Sequence, residues 1–265
     1  MNILFYLIIF AMGITFGSFY TLAVYRIPKG QDITHTHSYC PNCKHKLGIL
    51  DLIPVFSYIF LGGKCRYCKK KIRPRYFILE TLSGLVFVLM AFLLNLDIYS
   101  ITITKVIDYA FFALYFTFIV LLAGIDQERR MIDRRVLNFG ILLSVMYIIY
   151  LSIVDKPSLY IYIFYLIIYI VLLLIDSRKT KIERTNSYTI SLIFLIIIMA
   201  IFTGEFITLN SIILTLLGIA IYIILEKLIN KDKEKIYSNK ISIGFLLSIS
   251  NILYLIFSLF YLKIC

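Results

Sequence analysis

Four of the five cysteines in this 265-residue chain lie within one short stretch of sequence. They form two pairs, Cys40 with Cys43 and Cys65 with Cys68, and two residues separate the members of each pair. Two such pairs can present four sulfurs to one ion, and this spacing is typical of a tetrahedral, four-thiolate structural zinc site. We therefore predict that these four cysteines bind Zn²⁺.

Two other chemistries fit the same stretch. The two pairs could act in redox reactions, or His35, His37 and His45 could replace some of the sulfurs as metal ligands. Four thiolates already complete a tetrahedral shell, so we expect the histidines to be exposed to solvent. The fifth cysteine, Cys265, stands alone and is expected to be inert.

An acidic residue, Asp126, stands at the end of a long apolar stretch that closes with Ala123, Gly124 and Ile125. An ionisable group at that depth in a membrane is costly, which makes it a candidate for function. Two carboxylates that share one proton can act together in hydrolysis, because the ionised one activates water while the protonated one polarises a carbonyl. Asp126 is our candidate for the first of these carboxylates, and a role as a helix cap or anchor is the alternative.

The elements that must position these residues are membrane helices. Hydrophobic residues make up 61% of the chain, charged residues make up 16%, and the mean hydropathy is +0.91, which excludes a soluble globular protein. Several continuous apolar runs reach the roughly 17 to 25 residues that a helix needs to cross a bilayer. We predict an all-α polytopic membrane protein whose spans, about eight in number, are Asn2–Tyr25, Phe77–Leu96, Ile103–Ile125, Val136–Val154, Leu159–Ile175, Tyr188–Phe202, Ile207–Leu225 and Ile241–Leu262.

The distribution of Lys and Arg predicts which side of the membrane each loop faces. Of the 27 positive residues, 24 lie in the loops after the first, third, fifth and seventh spans, so these loops are expected to be cytoplasmic. The zinc loop, residues 30–75, is then cytoplasmic, where structural disulfides are not expected, and both termini are outside. The first span lacks a basic amino-terminal region and a small-residue cleavage site, so we expect it to be retained. The net charge of +12 follows from this topology and attracts anionic membrane lipids, and no motif for binding nucleic acid accompanies it.

A series of short motifs surrounds the cysteines in a fixed order. The motifs are Gly17-Ser18-Phe19, Tyr25-Arg26-Ile27-Pro28, Ser38-Tyr39-Cys40-Pro41-Asn42-Cys43, Leu52-Ile53-Pro54-Val55-Phe56-Ser57-Tyr58, Gly63-Lys64-Cys65-Arg66-Tyr67-Cys68, Ile72-Arg73-Pro74-Arg75-Tyr76 and Glu80. This series resembles the amino-terminal domain of the bacterial type IV prepilin peptidases. Farther along, the run from Ile241 to Leu247 is similar to the entry of that family's last helix, with Ser242 where a proline is usual.

This resemblance implies a bifunctional enzyme of the bacterial inner membrane, an aspartic-type intramembrane endopeptidase with N-methyltransferase activity. Such enzymes remove the leader of prepilins or pseudopilins on the cytoplasmic side and methylate the new amino terminus with S-adenosylmethionine. The expected domains are an amino-terminal domain, residues 1–96, that contains the zinc loop, and a six-helix protease domain, residues 97–265. Asp126 matches the family's first catalytic aspartate, although the proline that is usual near Asp133 is missing.

The second catalytic aspartate of the family has no counterpart at the expected place. The family carries it in a Gly-x-Gly-Asp motif at the entry to a later helix, and the aligned residue in this chain is Ser187. A serine hydroxyl does not ionise near neutral pH and cannot share the proton. Either Asp176 or Glu183 has taken this role, or the dyad is broken.

A broken dyad implies a different class of function. The chain would then be a proteolytically impaired descendant that acts as a zinc-containing membrane scaffold, or as a methyltransferase only, in pilus or secretion assembly. A transporter is a third class, but the sequence gives neither inverted repeats nor paired polar sites within its spans.

Overall fold

The computed structural model describes residues 2–35, 37–99, 101–154, 159–178, 188–229 and 241–264. Within these residues the structure is helical, with isolated β-bridges and no strands. The α-helices, in chain order, are α1 (Asn2–Arg26), α2 (Phe56–Phe60), α3 (Arg75–Leu93), α4 (Ile103–Arg129), α5 (Arg134–Val154), α6 (Leu159–Arg178), α7 (Tyr188–Thr203), α8 (Glu205–Ile229) and α9 (Ile243–Ile264).

Six of these helices are long and apolar enough to cross a membrane. They are α1, α3, α4, α5, α8 and α9, whereas α6 and α7 contain the shorter apolar stretches Tyr160–Ile175 and Tyr188–Thr203. Apart from the short α2, each helix corresponds to one of the predicted spans. The predicted all-α membrane fold is confirmed.

The chain divides into two compact units, Met1–Ala113 and Leu114–Cys265, and the division falls inside α4. We call them the amino-terminal unit and the carboxy-terminal unit. The expected division at residues 96 and 97 stays a prediction.

In the amino-terminal unit, α1 and α3 pack in antiparallel directions through small residues. A Cβ atom added to Gly13 would lie 2.7 Å from the Cα atom of Gly84, and one added to Gly17 would lie 2.8 Å from the Cα atom of Glu80. Gly13 and Gly17 are four residues apart and therefore lie on one face of α1, which is the small-residue pattern that lets membrane helices approach closely. This contact fixes the two ends of the zinc loop side by side, because the loop runs from the end of α1 to the start of α3.

In the carboxy-terminal unit, α7 lies at the centre of the apolar core. Its residues Leu195, Ile198 and Met199 are fully buried. The ring of Phe202 stacks against Tyr115 of α4 and Tyr147 of α5, with centroid distances of 4.6 and 4.5 Å. The short helix α7 is thus covered by its neighbours, which explains why it can be shorter than a full span.

A buried polar cluster lies beside this core. The side chain of Asn251 in α9 accepts a hydrogen bond from Tyr115 Oη at 2.8 Å and donates to Thr203 Oγ1 at 3.3 Å and Ser211 Oγ at 3.4 Å. Polar side chains inside a membrane helix bundle commonly bond across helices, because the apolar surroundings offer no other partner. This cluster joins α4, α7, α8 and α9, and the sequence reasoning missed it.

Candidate functional site

The structure brings the four predicted metal ligands together. The Sγ atoms of Cys40, Cys43, Cys65 and Cys68 all lie within 4.8 Å of one another. Cys40 and Cys65 are buried, whereas Cys43 is exposed. The cluster lies in the loop between α1 and α3, so its two halves come from one continuous segment of the amino-terminal unit.

The two halves of the cluster have the same local backbone structure. The N–H of Lys44 donates to the Cys40 carbonyl at 2.9 Å, and the N–H of Lys69 donates to the Cys65 carbonyl at 3.0 Å. Lys44 and Lys69 both have a positive φ, 58° and 57° respectively. Each half is a tight turn that returns the chain after its second cysteine, and a β-bridge closes each turn, between Tyr39 and Lys46 in the first and between Lys64 and Lys71 in the second.

This arrangement fits a zinc ion. Four sulfurs at about 2.3 Å from a tetrahedral Zn²⁺ are about 3.8 Å apart, and Cys40 Sγ lies 3.9 Å from Cys68 Sγ. Hydrogen bonds from the Lys70 N–H and from the Asn42 side chain lower the pKa of the Cys68 thiol to about 6, whereas burial and the neighbouring thiols raise the pKa of Cys43 to about 11. A bound cation would favour the thiolate form of all four cysteines. Zinc would cross-link the two turns and so hold the loop together.

The neighbouring side chains brace the cluster. Arg66 Nε donates to Asp51 Oδ1 at 2.6 Å, and Tyr67 Oη donates to Asp51 Oδ2 at 3.3 Å, so the second turn is tied to the segment that precedes it. The ring of His45 packs on Tyr67 with a centroid distance of 3.6 Å, and His35 pairs with Asp32 at 3.2 Å. A shallow cavity of about 650 Å³ lies beside the first turn, lined by Asp32, His35, His37, Tyr39, Lys44 and Lys46.

In the carboxy-terminal unit, the candidate catalytic residue Asp126 is completely buried near the end of α4. Its carboxylate accepts hydrogen bonds from Tyr188 Oη at 2.9 and 3.0 Å and from the Phe245 N–H at 2.9 Å. Tyr188 is the first residue of α7, and Phe245 lies in the first turn of α9. The first N–H groups of a helix lack partners within the helix and carry partial positive charge, so the amino terminus of α9 is a favourable place for an anion.

Glycine makes this approach possible. A Cβ atom on Gly244 would lie 2.9 Å from Asp126 Oδ2, so a larger residue there would displace the carboxylate. The Gly244 N–H donates to Tyr188 Oη at 3.1 Å, and the phenol in turn donates to Asp126. The phenol therefore bridges the α9 amino terminus and the Asp126 carboxylate.

The second carboxylate that the sequence analysis sought falls outside the part of the chain that the structure describes. The side chain of Asp176, and Glu183 and Ser187, lie outside the described residues, as does Cys265. The Asp126 carboxylate accepts hydrogen bonds from the phenol of Tyr188 and from the Phe245 N–H, both of which belong to described residues. Sequence reasoning missed the role of Tyr188, and its position directly after Ser187, where the family's aspartate is expected, is the signal that could have found it.

The fold and the site define a class of protein. It is a helical, multi-pass membrane protein with a four-cysteine cluster between its first two membrane-spanning helices. Residues 11–94 match the family model of the bacterial peptidase A24 N-terminal domain. This stretch contains the cysteine cluster and the α1–α3 pair.

The relatives found by sequence comparison carry names that agree with this match. The chain is 34% identical over 92 residues to a prepilin leader peptidase/N-methyltransferase of Klebsiella pneumoniae, which covers 32% of this chain and 40% of the relative. It is 34% identical over 120 residues to the protein of that name in Vibrio cholerae, with 42% and 44% covered, and 28% identical over 134 residues to that of Bacillus subtilis, with 50% of each chain covered. No solved structure matches the chain.

Residues 11–94 therefore match a bacterial peptidase A24 N-terminal domain, and the predicted resemblance to the prepilin peptidases is confirmed over this part of the chain. The matched segments span half or less of the length of these curated relatives.

Proposed function

We propose that this protein is a membrane enzyme that removes the leader from type IV prepilin-like proteins and methylates the new amino terminus. The names of its relatives support both activities. The single observation that carries the proteolytic half is the fully buried Asp126 carboxylate at the end of α4, next to the charged residues Arg129 and Arg130.

The position of Asp126 suits this substrate. A prepilin has a short positively charged leader followed by an apolar helix, so the bond to be cut lies where the membrane interior meets the cytoplasm. The excess of Lys and Arg in the loop after α4 supports a cytoplasmic location for this end of the helix. The same charge distribution supports a cytoplasmic cysteine loop and external termini.

Hydrolysis requires a second group that holds a proton while Asp126 takes one from water. Asp176 and Glu183 are the candidates, because each precedes α7 and Tyr188, the first residue of α7, contacts Asp126. Tyr188 then positions the Asp126 carboxylate, since its hydroxyl donates to both carboxylate oxygens.

For the methyltransferase half, the four cysteines are proposed to hold zinc, which cross-links the loop and keeps the amino-terminal unit folded. S-adenosylmethionine, the usual methyl donor, enters this proposal through the names of the relatives. No residue of this chain is assigned to its binding.

A second candidate function is favoured by the contacts of Asp126. Its carboxylate is engaged by the phenol of Tyr188 and by the amino terminus of α9, which is what a structural anchor between α4, α7 and α9 requires. In that case the protein is a zinc-containing scaffold or a methyltransferase without protease activity.

Co-expression with a prepilin that carries a standard leader separates the two functions. Cleavage appears as a mobility shift, and Asp126→Asn, Asp176→Asn and Glu183→Gln are compared with the wild-type chain. We expect cleavage by wild type, none by Asp126→Asn, and none by one of the other two. The protease function is rejected if the wild-type chain leaves the leader in place under conditions where a control prepilin peptidase removes it. The second candidate function then remains.

A further inference from the structure

The loop between α1 and α3 exposes an unusual amount of apolar surface. The exposed fraction is 86% for Ile49 and 84% for Phe60. We call residues 49–60 the apolar segment; its exposed large hydrophobic side chains are Ile49, Leu50, Leu52, Ile53, Phe56, Ile59 and Phe60. Apolar side chains grouped in this way mark a surface that contacts a partner or a membrane.

Two contacts fix the depth of the apolar segment. The Val55 N–H donates to Glu80 Oε2 at 2.7 Å, and the ring of Tyr58 stacks on Phe77 with a centroid distance of 5.2 Å. Phe77 and Glu80 lie in the first two turns of α3, which is one of the membrane-spanning helices. Glu80 is about 7.5 Å along the axis from Arg75, at ~1.5 Å per residue. The apolar segment therefore lies at the same depth in the membrane as the first two turns of α3.

The attachment to Glu80 is specific. Val55 has a φ of 65°, a backbone conformation that is strained for a β-branched residue. Contacts with the surrounding structure must stabilise such a conformation. One of these contacts is with the buried Glu80 carboxylate, which also bonds to Ser18 of α1. The turn before α2 is thus held against the α1–α3 pair.

Positive charge surrounds the apolar segment. Between Arg26 and Arg75 the sequence has 11 Lys and Arg residues against two acidic residues, Asp32 and Asp51. Asp51 is already paired with Arg66. The exposed basic side chains on either side of the apolar segment include Lys44, Lys46, Lys64, Lys69, Lys70, Lys71 and Arg73. Each basic residue near an anionic membrane surface adds electrostatic attraction to the lipid headgroups.

We propose that the apolar segment inserts into an anionic membrane leaflet and clamps the cysteine loop to the bilayer surface. A helix or turn of this kind lies with its apolar side chains about 5–10 Å into the boundary between headgroups and acyl chains. That depth agrees with the position of Glu80 along α3. The exposed lysines then lie at the level of the lipid phosphates, and the cysteine cluster sits directly on the membrane.

The absence of tryptophan from the chain allows a direct test. The variant F60W carries a single tryptophan at the most exposed position of α2, and Y39W carries one on the first cysteine turn as the matched control. Each full-length variant is placed in nanodiscs of phosphatidylcholine and phosphatidylglycerol whose acyl chains are brominated. We expect bromine to quench F60W at least about threefold more strongly than Y39W, and acrylamide to quench Y39W more strongly than F60W.

Zinc content per chain verifies that each variant is folded, and I49W repeats the measurement if F60W binds no zinc. Equal quenching of the apolar-segment variant and Y39W by brominated lipid overturns the insertion. In nanodiscs of phosphatidylcholine alone, we expect quenching of F60W by brominated lipid to fall by about half, because the attraction of the lysines is removed. Unchanged quenching there overturns the requirement for anionic lipid. Neither result depends on prepilin cleavage.

Discussion

The two units of this protein build their candidate sites in opposite ways. In the amino-terminal unit, four cysteines within one loop meet through two turns of the same local structure. In the carboxy-terminal unit, Asp126 meets Tyr188, 62 positions away, and Phe245, 119 positions away. The first site comes from one short segment that contains the same turn twice, whereas the second site depends on the packing of three helices.

This difference decides how far each site can be interpreted. Four thiolates at these distances suit a tetrahedral zinc ion, so the chemistry proposed for the amino-terminal site follows directly from its ligands. A buried carboxylate beside a phenol and a helix amino terminus has two possible roles, as a catalytic base or as a structural anchor. The predictions below separate these uses and compare the dependence of each unit on its site.

The largest effect is expected on the metal. Cys40→Ser removes a buried ligand, so zinc per chain should fall from one to near zero, since three remaining sulfurs leave the shell open. The melting temperature of the purified protein should fall with it. Cys265→Ser is the matched control and should keep its zinc. Equal zinc in all three proteins would show that the cysteine cluster is not the metal site.

The second effect concerns Asp126. Asp126→Asn keeps the size of the side chain but removes its charge, so prepilin cleavage should fall at least about 10³-fold while the protein remains folded. If Asp126 is only an anchor, the same variant instead lowers stability by about 1–3 kcal/mol and has no cleavage to lose. Cleavage is followed by gel mobility, and stability by thermal unfolding of the same preparation.

Tyr188→Phe sharpens this result because it removes the hydroxyl and leaves the carboxylate in place. We expect a partial loss of cleavage. This loss should be larger than the accompanying decrease in stability can explain. Cleavage at the wild-type rate would show that the phenol does not position Asp126.

Helix packing in the amino-terminal unit predicts a smaller effect. Gly13→Ala places a Cβ atom 2.7 Å from the Cα atom of Gly84, so α1 and α3 must separate, at a cost of about 1–3 kcal/mol. Gly218→Ala is the matched control on α8, where nothing lies within 4 Å of the added atom. The control should be neutral or stabilising, because alanine favours helix. Equal melting temperatures for the two variants would contradict the close contact.

The smallest effect is a pH dependence at Asp51. Burial opposes its ionisation, but hydrogen bonds from Arg66 and the Gly48 N–H outweigh this and lower the pKa of the carboxyl. A lowered pKa in the folded state contributes stability above the unfolded value of about 3.9 and loses it as the pH falls through the folded value. Asp51→Asn should therefore be less stable than wild type at pH 7, by less than about 1 kcal/mol. Thermal unfolding should show this difference shrink as the pH falls below about 3.9, and a difference that grows on acidification would contradict it.

Much of the fold was predictable because membrane helices are recognised in a sequence by their length and continuous apolar composition. The cysteine cluster was predictable for the same kind of reason, since Cys40 to Cys68 form a local pattern. Asp126 was predictable as an isolated acid at a helix end. Its partners were not, because the contacts with Tyr188 and Gly244 depend on how α4, α7 and α9 pack.

Two further features escaped sequence reasoning for related reasons. Asn251 is a single polar residue in an apolar helix, and its partners Tyr115, Thr203 and Ser211 come from three different helices. The bond between Val55 and Glu80 joins a backbone group to a carboxylate, and no side-chain pattern encodes a backbone donor.

The most direct test of the account is the mass of a prepilin amino terminus after co-expression with wild-type protein, with Asp126→Asn and with Cys40→Ser. We expect wild type to yield a leaderless, methylated amino terminus, Asp126→Asn to leave the leader in place, and Cys40→Ser to yield no methylated product. A prepilin that keeps its full leader with wild-type protein, in cells where a control enzyme removes it, would contradict the assignment of Asp126 to hydrolysis.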